Sequence, residues 1–401
     1  MPLTILHVSQ PVDGGVARVV VDLLRGQVAD GHRVLLACPD GGPLAAAAEA
    51  VGASVLPWAA VRAPGFGLPG EVSALRRLVA ECRPQLLHLH SAKAGLAGRL
   101  AVRAVLPTVF QPHAWSFAAV NGVPAMAARG WERWATRWAD RLLCVSEEER
   151  AEGKSAGLRG SWALARNGVD LDRFDPVRLP LQEQARDILG WEADKGSDGA
   201  RGEGPLAVCV GRLCRQKGQD VLLRAWSGIP PRVPGARLVL VGDGPDRAGL
   251  EALAATLPEP GSVHFAGPAE DPRDWYAAAD LLVLPSRWEG MALVPLEAMA
   301  CGCPVLLTEV AGARECLEPG EELVPVDDPG ALREALVARL ADPVACLAAG
   351  ARARARMAEH YDVQDTLAKV AAVYQDVLRE RHIPAPVFSG SPERMTSRKS
   401  D

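Results

Sequence analysis

The feature that most constrains this chain is an alternation, carried through twice, of short apolar runs with longer amphipathic ones. Short runs rich in Val, Ile and Leu bounded by helical-period stretches build strand–helix repeats, and hence parallel sheets covered on both faces. In the first half the expected strands are Thr4–Val8, Arg33–Ala37, Ser54–Leu56, Leu86–Leu89, Thr108–Gln111 and Leu142–Val145, with a last one around Ser161–Arg166. Helices fall between them, among others at Val16–Val28, Glu71–Glu81 and Ala94–Val105. The pattern stops between Asp172 and Pro205, where Asp194–Gly204 (DKGSDGARGEG) is polar, Gly-rich and aperiodic and reads as a mobile loop. A second array then starts, with strands at Leu206–Val210, Arg237–Val241, Val263–Ala266, Leu281–Leu284 and Val305–Thr308. Helical patterns at Pro329–Ala341, Val344–Glu359 and Tyr361–Arg381 close the chain, and from Pro384 onward Pro, Ser and charge predict a disordered tail.

The architecture this predicts is α/β: two Rossmann-like domains with parallel sheets facing a central cleft, where ligand pockets tend to lie. The expected divisions are a first domain over 1–175, a linker with its loop over 176–204, a second domain over 205–360, a helix over 361–381 and the tail over 382–401. At 401 residues each domain can bury its own core. Hydrophobic content of 48% and charge of 23% are those of a soluble globular protein. No apolar run approaches the roughly 20 residues of a spanning helix, and the most apolar stretch, Leu44–Val61, is broken by Glu49, Gly52 and Pro57. The opening MPLTILHVSQ lacks a basic segment before its apolar run and reads as a strand, not a secretory signal. Nine scattered cysteines, an odd number without a second close pair beside Cys301 and Cys303, suit reduced thiols in a cytoplasmic protein better than a zinc site. Residues 1–170 carry 18 Lys and Arg against 14 Asp and Glu, whereas the rest is acidic. That excess is too small for nucleic acid but favours an anionic acceptor or membrane surface at the front.

Within the second array, Ser286–Gly302 (SRWEGMALVPLEAMACG) sets Glu289 and Glu297 eight positions apart across a strand–turn–helix junction at Gly290. Ligands of open α/β sheets bind at such carboxyl ends. A helix N-terminus there suits a phosphate, and the carboxylates can accept hydrogen bonds from a polyol. Gly211-Arg212 through Lys217-Gly218 follows the strand Leu206–Val210 and places two cations on a strand-end loop, a fork and a point charge suited to a diphosphate. Asp13-Gly14-Gly15 follows the first strand and opens a helix, where glycines let a ligand approach the backbone. Diphosphate beside hydroxyls means a nucleotide sugar.

The Glu289–Glu297 segment resembles the Glu-x7-Glu motif of the retaining family-4 glycosyltransferases, which have the two-domain GT-B fold. It departs from their common form in reading Gly290-Met291-Ala292 after the first Glu. The Gly211-Arg212…Lys217-Gly218 pattern and the Gly14-Gly15 turn resemble the same family. The resemblance implies a retaining, metal-independent transfer of a sugar from a nucleoside-diphosphate sugar to a hydroxyl acceptor, in polysaccharide or glycoconjugate synthesis. It implies roles for His113, Arg212, Lys217 and Glu289 at the reacting centre. It implies donor contacts at Gly14, Gly15, Arg212, Lys217, Gly290, Met291, Ala292, Leu293 and Glu297. Glu289 is expected on the sugar hydroxyls and Glu297 on the ribose diol. Arg18 stands beside the phosphates or faces solvent with equal claim. UDP is preferred on the form Glu289-Gly290-Met291-Ala292, the base is placed near Gly267–Asp271, and no cofactor or metal is expected. The family's last helix crosses back to brace the first domain, which is expected here too.

Three further features need weighing. Asp170-Leu171-Asp172 imitates a cation-binding Asp-x-Asp but falls in Asn167–Phe174, which matches the family's domain junction, so a structural role is expected. His88 and His90 share one strand face; a metal would need ligands not visible nearby in sequence. Arg129–Arg141 carries Trp131, Trp134 and Trp138 at helical spacing among arginines, which fits inward packing and also fits peripheral contact with the inner membrane face. The alternatives to transfer are a catalytically silent nucleotide-sugar-binding subunit and a GT-B epimerase or phosphorylase. Val241-Gly242-Asp243-Gly244 lacks the glycine spacing of the dinucleotide fingerprint, which argues against a nicotinamide dehydrogenase.

Overall fold

A computed structural model describes residues 2–62, 65–190 and 204–383. The chain forms two compact units, one gathering the chain up to Asn167 and again from Val363, the other running Gly168–Asp362. The segment 191–203 and the tail from 384, both singled out above, lie outside the described residues.

The first unit is built on a seven-stranded parallel sheet: β1 (Thr4–Ser9), β2 (Arg33–Cys38), β3 (Ser54–Pro57), β4 (Leu86–His90), β5 (Thr108–Gln111), β6 (Arg141–Cys144) and β7 (Trp162–Leu164), in the order β3-β2-β1-β4-β5-β6-β7. Its central strands are buried on both faces, as helices on either side require. Leu6, Val8, Leu87, Leu89 and Phe110 fill one side, and Val34 and Leu36 meet Val20 and Leu24 on the other. Every second residue of β4 breaks this rule: His88 and His90 stand where the pattern of the sheet asks for aliphatics.

The helix Val363–Glu380 packs in this unit, burying Val370, Tyr374, Val377 and Leu378. Thr366 donates to the Arg166 carbonyl at 2.8 Å, and Arg381 pairs with Asp140 at 2.7 Å. Gly26 permits the approach to the helix Gly14–Ala29, since a Cβ there would lie 2.8 Å from Leu367 Cδ1.

The second unit holds a five-stranded parallel sheet of β8 (Leu206–Val210), β9 (Arg237–Val241), β10 (Val263–Gly267), β11 (Leu281–Leu284) and β12 (Val305–Leu307), ordered β10-β9-β8-β11-β12. Its core gathers Leu222, Trp226, Leu238, Leu240, Leu281, Val283 and Leu336. Residues 176–190, expected as linker, instead carry a short helix, Gln182–Ile188, fastened to this unit. Asp280 accepts from Gln182 at 3.0 Å and Arg186 at 2.7 Å, so tertiary bonds hold a helix too short to stand alone.

Both sheets reverse their strand order once, between β1 and β4 in the first and between β8 and β11 in the second. Such switch points part the connecting loops and leave a crevice at the carboxyl ends of the strands. No helix of the described residues is long and apolar enough to cross a membrane. None of the nine cysteines, all among the described residues, is in a disulfide, and seven of them are buried.

Candidate functional site

At the switch point of the second unit two loops are stapled together. The loop after β8 runs from Gly211 through a single 3-10 turn, Arg215–Lys217, and the loop after β11 leads to the helix Leu293–Ala300. Arg287 clamps them with a fork onto both oxygens of Asp220, at 2.8 Å each, and a third bond to Asp327 at 2.6 Å. The Arg287 amide donates to the Gln216 carbonyl at 2.7 Å, and Gln216 Nε2 returns a bond to the Trp288 carbonyl at 3.0 Å. Gly218 makes this approach possible: its φ is +66°, and a Cβ would sit 2.0 Å from the Pro285 carbonyl oxygen.

This stapling brings Lys217 and Glu289 together, Nζ to Oε1 at 2.6 Å, with 17% and 9% of their side chains exposed. The same Oε1 accepts from Ser286 Oγ at 2.7 Å, whereas Oε2 meets only a long contact from Gln216 Nε2 at 3.4 Å. A carboxylate offers about four lone-pair sites, so Glu289 keeps acceptor capacity on Oε2. Arg212, on the same loop as Lys217, is half-buried, its carbonyl bonded by Gln219 Nε2 at 3.0 Å, and its guanidinium has no partner among the described residues. Lys217 is thus neutralised locally by Glu289, while Arg212 is not. Glu297, 2% exposed on the helix Leu293–Ala300, accepts from Tyr276 Oη at 2.8 Å. No side chain caps that helix, whose N-cap is Ala292; Gly290, Met291 and Leu293 are buried around its start. The helix therefore begins three positions beyond the Gly290 turn.

The first unit places its marked residues at the carboxyl ends of β1, β4 and β5. Gly14, at φ +71°, and Gly15 are exposed and open the helix Gly14–Ala29 without a side-chain cap. His113 and Ala114 follow β5 with φ of +54° and +104°, conformations that cost non-glycine residues about 1–3 kcal/mol each. Glu149, wholly buried, holds the strained turn: Oε1 accepts from the Ala114 amide at 2.6 Å and Oε2 from the Val145 amide at 2.8 Å. The Glu149 carbonyl takes the Trp115 indole N–H at 2.7 Å.

His88 and His90 prove to be part of a larger cluster. β1 lies beside β4 with His7 in register with His88, so His7, His88 and His90 bring ring nitrogens within 4.8 Å of one another. Such a trio has the donor set of a metal site, and His7 is the ligand that sequence spacing could not show. The rings are nevertheless engaged with each other and with Gln27 and Tyr374: His7 Nδ1 meets His90 Nε2 at 2.9 Å and His88 Nδ1 meets Tyr374 Oη at 2.6 Å. Burial pushes His7 down to about 4 and holds His88 and His90 well below the ordinary imidazole range, so all three are neutral near pH 7. Burial lowers His113 as well, although the residue keeps some accessible surface.

The remaining features sort as follows. Asp170 is spent on its own turn, accepting from the amides of Asp172 and Arg173 at 3.1 and 3.0 Å. Asp271 is tied to Arg273 and Arg173, at 2.8 and 3.4 Å. Trp131 and Trp138 are half-buried and Trp134 is 43% exposed, with the Arg137 guanidinium 5.3 Å from its ring centroid. Gln216, Ser286, Tyr276, Glu149 and Gln27 were not singled out from sequence; each is an ordinary polar residue whose meaning comes only from what the fold sets beside it.

Comparison with known proteins covers both units. A family model described as Glycosyltransferase Family 4 matches residues 13–173, and one described as Glycosyl transferases group 1 matches residues 204–342. The lipopolysaccharide core biosynthesis mannosyltransferase LpsB of Rhizobium meliloti is 30% identical over 261 residues, 62% of this chain and 69% of that protein. A GDP-mannose-dependent monoacylated alpha-(1-6)-phosphatidylinositol monomannoside mannosyltransferase of Corynebacterium glutamicum is 33% identical over 54% of this chain, which spans little more than half, 57%, of that relative's length. Among solved structures, Anabaena Alr3699/HepE in complex with UDP and glucose superposes with a TM-score of 0.79 at 21% identity, over 93% of this chain and 100% of that one. This last likeness shows the fold, which is GT-B.

Proposed function

The chain belongs to the family-4, group 1 glycosyltransferases, and we propose that it moves a sugar from a nucleoside-diphosphate sugar to a hydroxyl acceptor with retention and without a metal. The observation that carries this reading is a strand-end loop at the β8/β11 switch point that brings Lys217 to Glu289 and also carries Arg212, whose guanidinium has no partner among the described residues. In the reaction the bond from the anomeric carbon to the β-phosphate oxygen breaks and its electron pair leaves on that oxygen. The acceptor hydroxyl oxygen bonds to the same carbon and gives its proton to the departing diphosphate. Charge therefore grows on the diphosphate, where Arg212, Lys217 and the start of the helix Leu293–Ala300 stabilise it by preorganised electrostatics. Glu289 Oε2 takes a sugar hydroxyl, and Glu297 holds the ribose diol in place of a bulk-water partner. Gly14 and Gly15 serve the donor by backbone contact, and His113 serves the transferred sugar.

UDP is the preferred nucleotide, supported by the Glu289-Gly290-Met291-Ala292 form. A relative named for GDP-mannose makes GDP the competing outcome. The acceptor is a saccharide, a lipid-linked saccharide or a small metabolite bearing a hydroxyl. For a lipid acceptor, the exposed Val123, Met126 and Trp134 of the helix Gly122–Ala135, flanked by Arg129, Arg133 and Arg137, fit a peripheral contact with an anionic bilayer. The test is a screen of UDP- and GDP-sugars by thermal shift, followed by product analysis with hydroxyl acceptors. A ligand at a hundred times its Kd adds about 2.7 kcal/mol to stability. A stabilising sugar nucleotide whose sugar appears on an acceptor is the expected result; stabilisation by none would overturn the reading.

A further inference from the structure

Six side chains of the first unit form one continuous hydrogen-bonded line, whose direction is set by the orientation of the Gln27 amide. Tyr374 Oη lies 3.3 Å from Gln27 Nε2 and 2.6 Å from His88 Nδ1. An amide nitrogen only donates, so the tyrosine oxygen accepts from Gln27 and gives its own proton to His88. With Nε2 turned to the tyrosine, Gln27 presents Oε1 to His7 Nε2 at 2.8 Å. A carbonyl only accepts, so the His7 proton sits on Nε2 and its Nδ1 is bare. That bare nitrogen must receive the proton of His90 Nε2, 2.9 Å away. His90 Nδ1 is then bare and receives the Nε2 proton of His113 at 3.1 Å.

The order of donation is therefore His113 to His90 to His7 to Gln27 to Tyr374 to His88. A proton added to His90, His7 or His88 would set two donors against each other, which agrees with the neutral state that burial imposes on these rings. At the far end His88 Nε2 and Gln111 Oε1 are both enclosed without a bond of hydrogen-bonding geometry. At the near end His113 Nδ1 has no protein partner and is not among the enclosed polar atoms of the described residues. Turning over the Gln27 amide would reverse every link and put the proton on His113 Nδ1.

We infer that His90, His7, Gln27 and Tyr374 are positioning residues that lock His113 in one neutral tautomer, protonated on Nε2, so that its bare Nδ1 accepts a hydroxyl of the transferred sugar. The ligand in this statement rests on the glycosyl-transfer reading above; the tautomer does not. Gln27 is the polarity-setting residue because it alone carries a donor and an acceptor on fixed, distinct atoms. Tyr374 extends the lock to the helix Val363–Glu380, distant in sequence and carrying no residue of the site.

The test uses the full chain, labelled with ring-15N histidine, without donor at pH 7.5, with His113 assigned from a His113→Gln sample. Two-bond 1H–15N spectra distinguish the tautomers. The expected spectrum shows His113 neutral with the proton on Nε2. In Gln27→Met the signal becomes a mixture of both tautomers, kcat falls about tenfold, as loss of an outer-shell partner does elsewhere, and UDP affinity stays within twofold. Tyr374→Phe, which removes one hydroxyl and serves if Gln27→Met fails to fold, gives the same mixture. A cationic His113, a proton on Nδ1, or an unchanged tautomer in the folded variant would overturn the inference. So would stoichiometric uptake of Zn2+ or Co2+ on His7, His88 and His90, which would occupy the nitrogens that form the line. A protein with the expected tautomer that transfers no sugar would remove the role given to Nδ1, and the fault would then lie with the glycosyl-transfer reading.

Discussion

The two switch points solve the same topological problem with opposite materials. In the first unit the crevice between β1 and β4 is lined by neutral rings, and nearly every polar atom is consumed by a neighbour. In the second, the loops after β8 and β11 carry full charges, and one of them, on Arg212, has no partner among the described residues. Neutral bonded lines transmit orientation, because each link decides the next. An unpaired guanidinium stores electrostatic potential, which is spent when an anion arrives. The first arrangement should therefore respond to changes of geometry and protonation, and the second to changes of charge.

The sharpest way to break this contrast is to remove the charges. Arg212→Ala and Lys217→Ala should each lower kcat about 100-fold or more, as loss of a single preorganised donor does elsewhere. Arg212→Ala should leave the melting temperature nearly unchanged, since its guanidinium bonds to none of the described residues. Steady-state kinetics beside thermal unfolding reads both. The converse holds in the first unit, where Glu149→Ala strips the half-buried Ala114 amide and the buried Val145 amide of their acceptor. It should cost about 2–4 kcal/mol of stability, measured by urea unfolding, because orphaned buried donors each cost about 1–3 kcal/mol.

Acid should find the first unit before the second. The His7 pKa is depressed to about 4 from 6.5, so the unfolded chain binds the proton more readily. Stability from this residue is complete above pH 6.5 and is lost as pH falls toward 4, at about 1.4 kcal/mol per pH unit in that window. A pH series of unfolding curves checks it, and flat stability between pH 7 and 5 would contradict neutral buried rings. Glu297→Ala should weaken UDP binding by about tenfold in a calorimetric titration, the scale of one charge-assisted hydrogen bond. The smallest effect sharpens the contrast most selectively. Raising salt from 0.1 to 0.5 M should raise the donor KM about two- to threefold through screening at Arg212, while the His113 tautomer stays as it was.

How much of this was legible in the chain follows from how local each signal is. The strands of both sheets lie within a residue or two of the runs that predicted them, because a strand buried on both faces must be apolar throughout. Arg212 and Lys217 stand within one loop, and Glu289 and Glu297 within one junction, so spacing alone drew attention to them. That Lys217 and Glu289 touch was not legible, since 72 positions separate them and a glycine contact with Pro285 decides the approach. The histidine line was out of reach for the same reason: its bonds span 20, 83 and 347 positions. His88 and His90 announced only that one face of β4 was polar. The helix Gln182–Ile188 escaped because its support, Asp280, comes from nearly a hundred positions away.

A crystal structure of the protein soaked with UDP tests the central claim most directly. The account predicts diphosphate oxygens within hydrogen-bond distance of the Arg212 guanidinium and Lys217 Nζ, in front of the helix Leu293–Ala300, with Lys217 drawn from its 2.6 Å contact with Glu289. A diphosphate seated away from both cations, or held by a divalent ion in their place, would contradict it.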